Sequence, residues 1–255
     1  MEEVVPSVDS IGAFRVTSRE GEAIMGYSDI SEEDIKSLPD KANILEIGSG
    51  IFQEFSKKIK SIRDDVNVLS IDPTLAFIHR GDNTYRTPSG ELDFYASVNQ
   101  DPQINYYPKD DYAKNLPAKE KEEAIKMHEL RVKEAGDNGG VAAIVPNLPF
   151  ADKSIHLIVD CFGPGTWFCG NEKETADYLK EVTRLLTDEG VAAIFPIDTV
   201  GEFMSYDEDS TRNDVAKERV KKVLDNLQVE YSFFQKDVKV KNVINQRTGV
   251  RIEKK

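Results

Sequence analysis

A glycine turn with a carboxylate on either side of it is the part of this chain best suited to chemistry. The run Asn43-Ile-Leu-Glu-Ile-Gly-Ser-Gly-Ile-Phe52 is a short apolar stretch that breaks at Gly48-Ser49-Gly50 and passes directly into a helical pattern. Residues without a β-carbon let a backbone turn press against a ligand, and the helix N-terminus behind it supplies unpaired N–H groups. A second apolar stretch, Val66-Asn-Val-Leu-Ser-Ile-Asp72, ends in a carboxylate twenty-two residues after Gly50. A carboxylate placed there can accept hydrogen bonds from both hydroxyls of a ribose. The pattern predicts a nucleoside-cofactor site. A dinucleotide would require a G-x-G-x-x-G turn, and its third glycine position is Gln53, so that fingerprint fails.

Glu46-x-Gly48-x-Gly50 resembles the first motif of class I S-adenosylmethionine-dependent methyltransferases, in which an acidic residue precedes paired glycines. Leu148-Pro-Phe-Ala-Asp-Lys-Ser154 resembles the L-P-F-x-D-x-S segment leading into the fourth strand of many small-molecule methyltransferases, and Ile155 to Cys161 supplies that strand. Leu179-Lys-Glu-Val-Thr-Arg-Leu-Leu186 resembles the family's L-x-E-x-x-R-x-L helix, which ends in a glycine, here Gly190, before strand five. The three motifs stand in the family's order over roughly residues 43 to 200.

The resemblance implies S-adenosylmethionine as cofactor. Gly48, Ser49 and Gly50 would approach its methionyl and ribose parts, Glu46 would hold the loop and the cofactor's amino group, and Asp72 would bind the ribose. Pro73 and Thr74 would flank the adenine. Two plainer readings stay open: Glu46 as a cap of the turn, and Asp72 as a turn former before proline. The chain departs from the family before Leu148. Many relatives carry an acid-containing run there whose carboxylate meets the adenine amino group, whereas this chain has Ile144-Val-Pro-Asn147. Only Asn147 or backbone groups about Leu148 can serve that edge. Phe52 stands where the methyltransferase family's motif has a third glycine, and it fits the buried face of the following helix.

Methyl transfer from a sulfonium is an in-line displacement with the leaving group already activated, so the protein mainly positions and desolvates the reactants. No catalytic side chain is obligatory. Asp160, at the end of the fourth strand, is the general-base candidate by position, since ligands of open parallel sheets sit outside the carboxyl ends of the strands. An acid at a strand end also serves as a turn cap. Trp167, in the loop that follows, suits either an acceptor wall or ordinary packing. His79, His128 and His156 have no metal-like spacing, and no metal site is expected.

The elements that must position these residues follow from periodicity. Residues 1 to 30 read as an irregular arm, and Ser31 caps a short helix that stops before Pro39, completing an N-terminal region of about 40 residues. Strands are predicted at 43–47, 66–71, 141–145, 155–161 and 191–196. One helix presents Phe52, Phe55, Ile59 and Ile62, a second spans 175–186 and ends at Gly190, and a third starts at Asp209 or Ser210. The third carries Val215, Val220, Val223, Leu224 and Leu227. The tail reads as strands 229–234 and 238–244, then a turn over 245–249 into 250–252. Strand alternating with helix predicts one α/β domain: a doubly wound, mostly parallel seven-stranded sheet with an antiparallel C-terminal hairpin, the Rossmann-like methyltransferase fold. Between Asp72 and Val141 lie 68 residues, far more than a crossover requires. This insertion, 74–140, reads as a lid-like loop to Pro117 followed by a helix over 118–135. Its Tyr85, Tyr95, Tyr106, Tyr107 and Tyr112 are suited to a pocket wall or to anchoring the insertion.

The net charge of −13 argues against nucleic acid as a partner, because phosphate binding needs clustered Lys and Arg. No apolar run is long enough to span a bilayer, and no secretory signal pattern opens the chain, so no membrane partner is expected. Two cysteines make no disulfide framework, which predicts a cytoplasmic protein. The expectation is a methyltransferase for a small-molecule acceptor. The alternatives are a protein methyltransferase acting on a basic partner and a non-catalytic methyltransferase-like binding module, with a nicotinamide oxidoreductase further off.

Overall fold

The strands that carry the glycine turn and Asp72 lie side by side inside a seven-stranded sheet. In the computed structural model, residues 21–49, 53–72, 78–79, 85–86, 93–98, 104–108, 139–141, 145–146, 148–163, 172–197, 210–240 and 243–254 are described. The strands of the main sheet are β1 (Asn43–Ile47), β2 (Asn67–Ile71), β7 (Gly140–Val141), β8 (Ile155–Cys161), β9 (Leu186–Phe195), β10 (Glu230–Val240) and β11 (Val243–Glu253). Their spatial order is β10-β11-β9-β8-β1-β2-β7. β7, β2, β1, β8 and β9 run parallel, and β11 is antiparallel to both β9 and β10. The predicted mixed sheet with its antiparallel C-terminal strands is therefore present.

The sheet is covered on both faces because its inner strands are apolar on both. Ile44, Leu157 and Val159 join one core, packed with Phe55 and Ile59 of α3 (Glu54–Ile62), Ile35 of α2 (Glu32–Ser37), and Ile24 and Met25 of α1 (Gly21–Tyr27). Leu45, Ile47, Ile71 and Ile158 point the other way. They pack with Leu179, Val182 and Leu185 of α4 (Glu172–Leu185) and Val220 and Leu224 of α5 (Ser210–Leu227). This alternation, side chain by side chain along each strand, is the period of two that a parallel sheet buries on both faces. α2 starts as predicted: the Ser31 hydroxyl accepts the Asp34 N–H at 3.1 Å, and Asp34 accepts the Ser31 N–H at 2.8 Å.

Several expectations are corrected. Residues 21–27, read as part of an irregular arm, form α1. It is a short helix with glycines at positions 21 and 26, which mask its period, and it is held by burying Ile24 and Met25. Val215 lies on the outer face of α5 with 56% exposure, and Ala216 occupies the inner position instead. Gly190 does not end α4; the chain turns straight from Leu185 into β9, and Gly190 lies within that strand. The β8–β9 register slips between Ile155 and Leu157, which absorbs the extra residues between Leu186 and Val191. Of the third predicted strand, 141–145, only Val141 is seen in a strand, β7; 142–144 lie outside the described residues, and Val145 is in a bend. Within the insertion, a second sheet replaces the expected loop: β3 (Ile78–His79), β4 (Tyr85–Arg86), β5 (Asp93–Val98) and β6 (Ile104–Pro108) pair antiparallel in sequence order. Tyr85, Tyr95, Tyr106 and Tyr107 are strand residues, in keeping with the β preference of aromatic side chains. The expected helix over 118–135, Tyr112, Trp167 and Cys169 lie outside the described residues.

The tail is two long strands rather than three. β10 and β11 pair from Glu230↔Glu253 to Val240↔Val243, so the expected turn at 245–249 lies inside β11. Gly249 is there for space. It sits opposite Phe234, and a β-carbon on it would fall 2.3–2.9 Å from the Phe234 ring. Gly249→Ala should therefore lower stability by about 1–2 kcal/mol through overpacking. The measurement is the denaturant midpoint, and an unchanged midpoint would show that the ring yields without cost.

Candidate active site at the carboxyl ends of the inner strands

The glycine turn leaves β1 at the level where β2 and β8 also end. Ile47 is paired with Ile71 on one side and Asp160 on the other. Gly48 has φ 75°, a backbone conformation that a β-carbon disfavours. The N–H groups of Gly48 and Ser49 both point back to the Ile71 carbonyl, at 2.9 and 3.3 Å. The turn is thereby tied to the strand that delivers Asp72. Behind it, α3 begins from Gln53, a buried N-cap residue in the left-handed region at φ 50°. Gly50, Pro73, Thr74 and Asn147 lie outside the described residues.

Glu46 precedes the turn and is only 3% exposed. Ser70, its cross-strand partner in β2, donates its hydroxyl to Glu46 Oε2 at 3.0 Å. Burial is the main influence on this carboxyl and pushes its pKa up to about 8, with the charge of Asp72 adding to the rise against the Ser70 hydrogen bond. Asp72 follows β2, is itself buried, and donates its N–H to the Val141 carbonyl at 3.2 Å. The structure thus brings Glu46, Gly48, Ser49 and Asp72 to the same end of two neighbouring strands.

Asp160 is fully buried and engaged through both oxygens. Oδ1 accepts the Gly163 N–H at 2.9 Å, and Oδ2 accepts the Tyr178 hydroxyl. This is the geometry of a residue that holds the turn after β8, and it favours that role over proton abstraction. Leu148 is buried in the core with both backbone polar groups occupied: its N–H donates to Glu181 Oε1 at 2.6 Å, and its carbonyl accepts from Arg184 at 3.2 Å.

Those last contacts explain two of the sequence motifs as halves of one device. Arg184 on α4 also donates to the Phe150 carbonyl at 2.9 Å, to Asp152 Oδ1 at 2.5 Å and to both oxygens of Glu181. The Lys153 and Ser154 N–H groups donate in turn to the Arg184 and Leu185 carbonyls, each at 2.9 Å. The segment before β8 and the helix after it fix each other, so these motif residues serve architecture rather than reaction. His156 likewise accepts the Asn43 N–H at 3.1 Å. Sequence reasoning missed Ser70, Gly163 and Tyr178. Only strand register could have pointed to Ser70, and only the spacing of Tyr178 one turn before Glu181 to Tyr178.

The strand order, an antiparallel β11 set between β9 and β10, and a glycine turn at the carboxyl end of an inner parallel strand occur here together. The fold is that of the class I methyltransferases. No family model matches the chain, and no curated protein sequence matches it. Among solved structures, it is similar to precorrin-6y C5,15-methyltransferase from Geobacter metallireducens GS-15 at 10% identity and a TM-score of 0.46, over 98% of this chain and 96% of that one. A SAM-dependent methyltransferase from Aquifex aeolicus matches at 10% identity and a TM-score of 0.40, over 92% and 98% of the two chains. An rRNA methylase from Streptococcus thermophilus matches at 10% identity and a TM-score of 0.43, over 94% and 98%. Their names span small-molecule and RNA acceptors, and at these scores they decide nothing about the chemistry of this methyltransferase-fold chain. Among the described residues, no helix is long and apolar enough to cross a membrane.

Proposed function

We propose that the chain is an S-adenosylmethionine-dependent methyltransferase that acts on a small-molecule acceptor. The observation that supports this reading is the pairing, at the ends of β1 and β2, of a glycine turn at φ 75° with the two buried carboxylates Glu46 and Asp72. A nucleoside that also bears an ammonium group fits this set. Asp72 accepts hydrogen bonds from the ribose hydroxyls, and Gly48 leaves room for the backbone to close on the ligand. Glu46, whose buried carboxyl resists ionisation in the free protein, gains a cationic partner in the amino group. To Ser49 and Gly50 we assign the methionyl and ribose parts of the cofactor, and to Pro73 and Thr74 the flanks of the adenine, on their place in the sequence. The adenine edge we assign to Asn147 and to Leu148: the Leu148 N–H is held by Glu181, but its carbonyl keeps a second lone pair beside the Arg184 bond.

The cofactor supplies an activated methyl group when bound. The protein's share is orientation and exclusion of water, with Asp160 holding the loop after β8 in place. The net charge of −13 supports a small acceptor over a polyanionic one. The two cysteines of the chain, too few for a disulfide framework, are the reason for proposing a cytoplasmic location.

S-adenosylhomocysteine should raise the melting temperature, since a ligand that binds only the folded state stabilises it by mass action, and NADH should leave it unchanged. A thermal-shift titration with both ligands is the test. A rise with NADH and none with S-adenosylhomocysteine would replace this reading with the oxidoreductase one, and no rise with either would favour a binding module.

A further inference from the structure

The loop after β8 is built to press on the glycine turn. A β-carbon added to Gly163 would fall 2.5 Å from Asp160 Oδ1, 2.7 Å from the Ile47 carbonyl oxygen and 3.2 Å from Gly48 Cα. Gly163 is therefore packed directly against the peptide that opens the turn, with no room for any side chain. Its N–H is held by Asp160 Oδ1 at 2.9 Å, and Asp160 Oδ2 is held by the hydroxyl of Tyr178, a fully buried residue of α4.

Phe162, between Asp160 and Gly163, is kept at φ 60°, in the left-handed region that costs energy for a residue with a β-carbon. It is fixed there from two sides. Its N–H donates to the Phe195 carbonyl at 2.6 Å, and its ring meets Tyr27 and Phe195 edge-on with centroids 5.7 and 5.4 Å away. Backbone held in such a conformation persists only where the surroundings over-determine it, and such places cluster at binding sites.

We propose that Tyr178, Asp160 and Gly163 are positioning residues for the glycine turn: α4 holds Asp160, Asp160 holds Gly163, and Gly163 sets the conformation in which Gly48 meets the cofactor. The assignment rests on the reading of that turn as a cofactor site. It gives Asp160 work that occupies both of its oxygens, in place of the base role its position suggests. It also gives a function to Tyr178, which no sequence motif picks out.

The test uses the full chain and two readouts: amide exchange at Gly48 and Ser49 followed by NMR, and S-adenosylhomocysteine affinity by calorimetry. Tyr178→Phe removes one hydroxyl, and Gly163→Ala forces the contact apart. Asp160→Asn is the conservative variant, because an amide keeps an acceptor for the Gly163 N–H and offers a donor that the Tyr178 hydroxyl can accept. In Tyr178→Phe and Gly163→Ala, exchange at Gly48 and Ser49 should quicken roughly tenfold relative to amides of the β10–β11 hairpin, a local rather than global opening. Affinity should fall roughly 3- to 30-fold. Asp160→Asn should stay near the parent protein in both. If Gly163→Ala does not fold, Tyr178→Phe decides alone. Exchange unchanged at the turn, or quickened equally throughout the molecule, overturns the proposal. Failure of the parent protein to bind S-adenosylhomocysteine would instead sink the cofactor reading, and the exchange measurement would still judge whether Tyr178 and Gly163 position the glycine turn.

Discussion

Replacing Glu46 with glutamine should flatten the dependence of stability on pH and raise the unfolding free energy at pH 9 by on the order of 4 kcal/mol. Glu46 has an ordinary carboxyl pKa of 4.5 when unfolded and is raised to about 8 in the fold, chiefly by burial. Below pH 4.5 both states are protonated, and the neutral carboxyl costs the fold nothing. Between pH 4.5 and 8 the unfolded chain gives up its proton while the folded one keeps it, so stability falls as pH rises. Above pH 8 both states are ionised, and the loss levels off. Glutamine has the shape of the protonated acid and can still accept the Ser70 hydroxyl, so it should escape the loss. Denaturant unfolding of both proteins at several pH values reads the effect directly. Parallel curves for Glu46→Gln and its parent would mean that Glu46 is not the buried neutral acid described.

Asp72→Ala should weaken S-adenosylhomocysteine binding by about 2–3 kcal/mol, because hydrogen bonds to a charged acceptor are the stronger kind and two would be lost together. It should also lower the Glu46 pKa, since the charge of Asp72 helps to raise it. The pH window over which stability falls should then narrow from its upper end, its lower end staying at pH 4.5, and the total loss should shrink. Calorimetry on the variant measures the first effect and pH-dependent unfolding the second. Unchanged affinity would return Asp72 to the role of a residue that merely shapes the turn before Pro73.

The parts of the fold that were legible in sequence are those where one physical signal dominates. β1, β2 and β8 are short apolar runs buried on both faces, and α3 and α4 carry apolar residues at helical spacing. Elements set by contacts distant in sequence were not legible. Gly249 reads as a turn residue until Phe234, fifteen residues earlier, is seen lying across it. Gly190 reads as a helix stop until the slipped β8–β9 register shows where β9 starts. The site divides the same way. Glu46, Gly48 and Asp72 are adjacent to strand ends in sequence, so their meeting follows from strand pairing. Tyr178, Asp160 and Gly163 meet through a helix folded back over the sheet, and only the tertiary structure joins them.

Helix α4 grips two loops at once. Tyr178, Glu181 and Arg184 follow one another at intervals of three along its inner side, the first reaching Asp160 after β8 and the other two reaching residues 148–152 before it. Those loops stand at opposite ends of the same strand, so a single rigid rod couples them. A change in the core under α4 that slides the rod by a fraction of an ångström must carry both loops with it. Substitutions at Leu179 or Val182, whose side chains lie in the core under α4, thereby act on both loops together. A mutational scan would register them as tuning residues, although they are plain hydrocarbon.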